Sequence, residues 1–102
     1  MSENPLNILR KLDPDLLKLV DGAGSLALAD DALPRRIKLL IAMSLDASNG
    51  SAGGVTALAR QAMQAGATKQ EILEALRVTY YISGVGSVYT ALEALREIFS
   101  GK

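Results

Sequence analysis

The residues best suited to chemistry in this chain are Asp46, Arg35 and Ser51, with Tyr80, Tyr81 and Tyr89 as further polar groups. Asp46 follows Leu39 by seven residues, so two helical turns put both on one face, where a carboxylate can handle a proton. It also falls near a helix C-terminus, where negative charge is mildly unfavourable. The plainer alternative is a solvated aspartate, or one paired with Arg35. Ser51 becomes a nucleophile only with a base beside it. The chain has no histidine to serve, and the position of Ser51 just after Asn49-Gly50 suits a helix N-cap better. There is no cysteine either, which removes thiolate nucleophiles and sulfur ligands. Tyr80 and Tyr81 are adjacent and point about 100° apart on a helix, so at most one faces the core squarely and the other is free to meet a subunit.

No metal or cofactor is expected. The acidic pairs Asp13/Asp15 and Asp30-Asp31 lack the spacing of a calcium loop. Gly84-Val85-Gly86 follows no strand and lacks the third glycine of a dinucleotide fingerprint, so it reads as a helix kink that allows close packing.

Helices must position these groups. Pro5–Leu12 supports a short helix, and Asp13-Pro14 restarts it as N-cap and first helical residue. That second helix is expected to reach Ala29. The segment from Pro34 to Ala47 is apolar almost all round, with Ile37, Ile41 and Ser44 on one side and Leu39 and Met43 on the other, the signature of a central helix. Residues 51–65 carry Val55, Leu58, Ala59, Ala62 and Met63 at amphipathic spacing, which makes Leu58 a core residue. Gly66 is a stop, and Thr68-Lys69-Gln70-Glu71 is a capping box opening the next helix. The last helix carries Val88, Ala91, Leu92, Leu95, Ile98 and Phe99.

Composition agrees with an all-α domain. Of 102 residues 49% are hydrophobic and only 4% aromatic, so Leu, Ile, Val and Ala must fill the core. Acidic and basic residues balance at 11 each with no basic block, which argues against nucleic acid as a partner. No apolar run approaches the ~20 residues of a membrane span, and Met1-Ser2-Glu3-Asn4 starts no signal peptide. A cytoplasmic protein is expected.

The stretch Leu33-Pro34-Arg35-Arg36-Ile37-Lys38-Leu39-Leu40-Ile41-Ala42, then Asn49-Gly50, then Ala65-Gly66-Ala67-Thr68-Lys69-Gln70-Glu71-Ile72-Leu73-Glu74-Ala75-Leu76, and finally Ala91-Leu92-Glu93-Ala94, resembles the carboxymuconolactone decarboxylase and alkylhydroperoxidase D-like family. The likeness is strongest over residues 33–99. Its peroxidase branch sets Glu, Cys, Cys and His in the pattern E-x11-C-x2-C-x3-H, which falls here on Leu39, Ser51, Gly54 and Leu58. A thiolate that attacks peroxide and a second thiol that resolves the sulfenic acid are both needed, and neither is present. The decarboxylase branch uses ionisable residues in the same helix. The aligned stretch Ser51–Leu58 has none.

The resemblance implies one AhpD-like domain over 1–102, with a short tail at 1–4 and five to seven helices around a central hairpin at 34–65. It also implies a homo-oligomer, commonly a trimer or hexamer. The leading functional expectation is a non-catalytic oligomeric binding or structural protein. The alternative is a cysteine-independent, decarboxylase-like enzyme acting on a small organic acid or lactone, with Asp46, Ser51 or Arg35 as weak candidates. Mixed oligomers with an active homologue are a third option.

Overall fold

The computed structural model describes residues 4–100, and every regular element in them is helical. A 3-10 turn, Pro5–Ile8, runs into α1 (Leu9–Leu12). Then come α2 (Pro14–Leu28), α3 (Arg35–Ser48), α4 (Ala52–Gln64), α5 (Lys69–Ser83) and α6 (Val85–Ser100). Six α-helices fall within the expected five to seven. Of the expected tail at 1–4, residues 1–3 lie outside the described residues.

Local chemistry sets most boundaries. The Asp13 carboxylate accepts the Leu16 N–H at 3.1 Å, with Pro14 at the first helical position of α2. Thr68 and Glu71 form the full capping box: Glu71 N–H donates to Thr68 Oγ1 at 3.0 Å and Thr68 N–H to Glu71 Oε1 at 3.0 Å. The α5–α6 break is complete, because Gly84 takes φ +88° and ψ 174°, a conformation essentially reserved for glycine. Close packing at Gly86 is not the cause, contrary to expectation, since a Cβ there would meet nothing within 4 Å.

α3 is central and packs on α2, α4, α5 and α6. Its Leu39 and Met43 are fully buried with Val55, Ala59 and Ala62 of α4, Ile72 and Leu76 of α5, and Ala91 and Leu95 of α6. Thr56 Oγ1 donates to the Ala94 carbonyl at 2.9 Å, tying α4 to α6. The hydroxyls of Ser48 and Ser83 bond to each other and join the C-terminal ends of α3 and α5.

α2 behaves differently. None of its residues is buried, although it carries Leu16, Leu17, Leu19, Val20, Leu26 and Leu28. The chain exposes 7041 Å², against about 5,500 Å² for a compact monomer of this mass. Its radius of gyration is 14.3 Å, against about 12.8 Å for a compact domain of this length.

Candidate functional site

The turn between α3 and α4 brings Asp46 to Gly54. Asn49 and Gly50 close α3, and Ser51 N–H reaches back to the Asp46 carbonyl at 2.8 Å. This hairpin folds the last turn of α3 against the first turn of α4. A Cβ built on Gly54 would collide with Asp46 Oδ2 and come within 2.8 Å of Asp46 Cγ. The Asp46 side chain therefore fills the space that any side chain at position 54 would need. Its carboxylate lies against Gly54 in the first turn of α4, the end of a helix where negative charge is favoured. That placement compensates the unfavourable position of an acid near the end of α3.

The other sequence candidates are placed apart from it. Arg35 is exposed at the opposite end of α3, eleven residues or roughly 16 Å along the axis from Asp46. Its Nη1 donates to the Leu28 carbonyl at 3.3 Å, so the suggested Arg35–Asp46 pair does not form. No ion pair or side-chain hydrogen bond to Asp46 is present among the described residues. Ser51 stands at the N-cap position of α4 as expected, but its hydroxyl makes no capping bond and faces solvent. Asp46 at the first turn of α4 takes over the electrostatic part of that role.

Leu39 is 0% exposed and packed within the main core. Leu58 is half-buried against the same cluster rather than at its centre. Leu39, Ser51, Gly54 and Leu58 therefore offer one buried leucine, one solvated hydroxyl, one glycine covered by a carboxylate and one leucine on the core margin. The clefts between α3 and α5, between α5 and α6, and beside α1 are lined by neither these four residues nor Asp46. Nothing here aligns a nucleophile, a base and an anion-binding group around one reacting atom.

The tyrosines turn outward. Tyr80, Tyr81 and Tyr89 are 53%, 83% and 74% exposed, so neither member of the adjacent pair faces the core. They border exposed Ile82 and Val85 at the α5–α6 corner. No group of three or more His, Cys, Asp or Glu able to hold a metal occurs among the described residues. No described helix is long and apolar enough to cross a membrane.

Sequence reasoning placed Asp46 beside Leu39 and missed Gly54 as its contact. The available signal was the Gly53-Gly54 pair in the first turn of an otherwise strong helix, eight residues after an acid. Two comparisons bear on the fold and ancestry. Residues 14–97 match the profile of the carboxymuconolactone decarboxylase family. A crystal structure of a carboxymuconolactone decarboxylase family protein from Legionella pneumophila, in its apo form, superposes with a TM-score of 0.86 and 30% sequence identity, covering 93% of this chain and 85% of that one. No curated protein matches the chain by sequence.

Proposed function

The chain belongs to the carboxymuconolactone decarboxylase family, and from that premise we propose that it is a non-catalytic member acting as a self-associating binding or structural protein. A chain without cysteine has neither the attacking nor the resolving thiol of a thiol peroxidase. The observation that carries the proposal is the state of the ancestral site: Leu39 is sealed in the core and the Gly54 position is filled by Asp46. At two of the four positions, Leu39 and Gly54, the protein's own side chains take up the space, which supports the non-catalytic reading.

The surface supports the associative half of the reading. About 1,500 Å² of area beyond that of a compact monomer is more than one partner contributes to a standard interface, about 800 Å². Exposed tyrosines beside aliphatic residues have the composition of interface cores. The proposal is a homo-oligomer, a trimer or hexamer, in the cytoplasm.

Two measurements on the purified chain test it. Sedimentation equilibrium is expected to give a mass three or six times 10.8 kDa. Peroxide consumption with a dithiol reductant, and decarboxylation of a lactone carboxylic acid, are both expected to stay at the buffer rate. Turnover that is lost in Asp46→Ala would overturn the non-catalytic reading and establish the enzyme alternative. A monomeric mass would overturn the associative one.

A further inference from the structure

We infer that α2 of one chain docks its free apolar stripe into the groove between α3 and α5 of a second copy; this rests on the self-association proposed above and assigns the surfaces that make it. Leu16, Leu19, Val20, Ala23 and Leu26 recur at three- and four-residue spacing and form one stripe along α2. Within its own chain α2 packs on α1 and α3, and Leu28 is its sole residue against the core cluster among the described residues. Leu19 and Leu26 are 72% and 82% exposed. A 15-residue helix of this composition, with two internal glycines, has little reason to be stable in water without a cover for that stripe.

The matching surface lies on the same chain. Ile37, Leu40, Ile41, Leu45, Ala75 and Val78 line an open groove of about 550 Å³ between α3 and α5, together with Ser44, Glu71 and Glu74. Its surface is mostly apolar, with Ile41, Leu45 and Val78 all exposed, and Glu71 is paired with Arg36. An amphipathic helix laid in an apolar groove is a common recognition mode, anchored by residues at i, i+3, i+4 and i+7.

The chain's own α2 is held away from this groove. Lys38 Nζ donates to the Ala29 carbonyl at 2.8 Å, Arg35 Nη1 to the Leu28 carbonyl, and Arg35 N–H to Asp30 Oδ1. These bonds fix the direction in which α2 leaves α3, so a helix folding back would have to break them. With its own α2 tied in this direction, the chain leaves the groove open to the ridge of another copy. The excess area of about 1,500 Å² per chain suits a contact in which each copy gives one ridge and receives one. Ridge and groove are different patches, so the contact can propagate head to tail and close into a ring.

The cysteine-free background gives a direct test. Single-cysteine chains are made at Leu19→Cys or Leu26→Cys in the ridge and at Ile41→Cys or Val78→Cys in the groove, one partner carrying a size tag. After mixing and mild oxidation, a ridge–groove disulfide heterodimer is expected several-fold above either homodimer. Dominant ridge–ridge homodimers would overturn the inference in favour of α2–α2 pairing. An oligomeric mass with no ridge–groove product would also overturn it while leaving self-association standing, and a monomeric mass would overturn both. As a second readout, the Leu19→Glu/Leu26→Glu double variant is expected to keep its helical circular dichroism and lose its oligomeric mass. An unchanged mass would contradict the docking.

Discussion

Replacing Gly54 by alanine isolates the Asp46 contact. An alanine in a helix is normally favoured over glycine by about 0.5–1 kcal/mol. Gly53, one residue earlier in α4, has open space around its Cβ position, so Gly53→Ala is expected to gain about that amount. At Gly54 the new methyl would occupy the place of the Asp46 carboxylate, with Cγ only 2.8 Å away. Asp46 must swing out and give up its position at the α4 N-terminus, worth about 0.3–1 kcal/mol. The gain and the loss nearly cancel, so Gly54→Ala is expected to leave stability within about 0.5 kcal/mol of the parent. In an Asp46→Ala background nothing has to move, and the same substitution regains its full ~0.5–1 kcal/mol. Urea unfolding of the four members of this cycle, at one fixed protein concentration, reads the coupling directly. A Gly54→Ala chain stabilised as much as Gly53→Ala, whether or not Asp46 is present, would refute the contact and with it the filled-site argument.

Other expectations follow from single positions. Leu39→Glu, at the position where the resemblance implies a carboxylate, buries an unpaired acid, which desolvation pushes to a raised pKa. The folded state then holds a proton that the unfolded state releases, so the penalty relative to the parent grows by about 1.4 kcal/mol per pH unit above ~4.3 and reaches about 4 kcal/mol at pH 7. Thermal melts at pH 4.5 and pH 7 check this, and a pH-independent penalty would contradict it. Gly84→Ala is expected to cost about 1–3 kcal/mol because its backbone conformation excludes a Cβ, again by urea unfolding. Thr68→Ala removes the α5 cap and is expected to cost about 1 kcal/mol, or roughly 4–8 °C in Tm for a domain of this size. Tyr81→Ala, at a side chain 83% exposed, is expected to leave stability within about 0.5 kcal/mol of the parent by urea unfolding at low protein concentration, and a larger loss would contradict its exposure.

Much of this fold was legible because its boundaries are set by local chemistry. Asp13-Pro14 and the Thr68/Glu71 box act within one helical turn, and both form as their residue types dictate. The all-round apolar pattern of 34–47 likewise marked α3 as the central helix, since a helix with apolar residues on several faces needs several neighbours. The site was less legible because it depends on where two helix ends meet. Asp46 and Gly54 come together through the pitch of the α3–α4 turn, which no periodicity encodes. The tyrosines were legible only as a divergent pair: the rotation of α5 that turns both away from the core is set by the packing of Ile72, Leu76 and Thr79. No residue of α2 is buried, so its apolar stripe stays exposed.

The non-catalytic proposal rests on Asp46 filling the space at Gly54 and on Leu39 being sealed in the core. A high-resolution crystal structure of the protein, with the space around Leu39, Asp46, Gly54 and Leu58 inspected for solvent and bound molecules, is the decisive measurement. Asp46 is expected to be seated on Gly54, with Leu39 in dry apolar surroundings and no cavity between them. A water-filled pocket there, with a ligand or a second charged residue converging on Asp46, would contradict it.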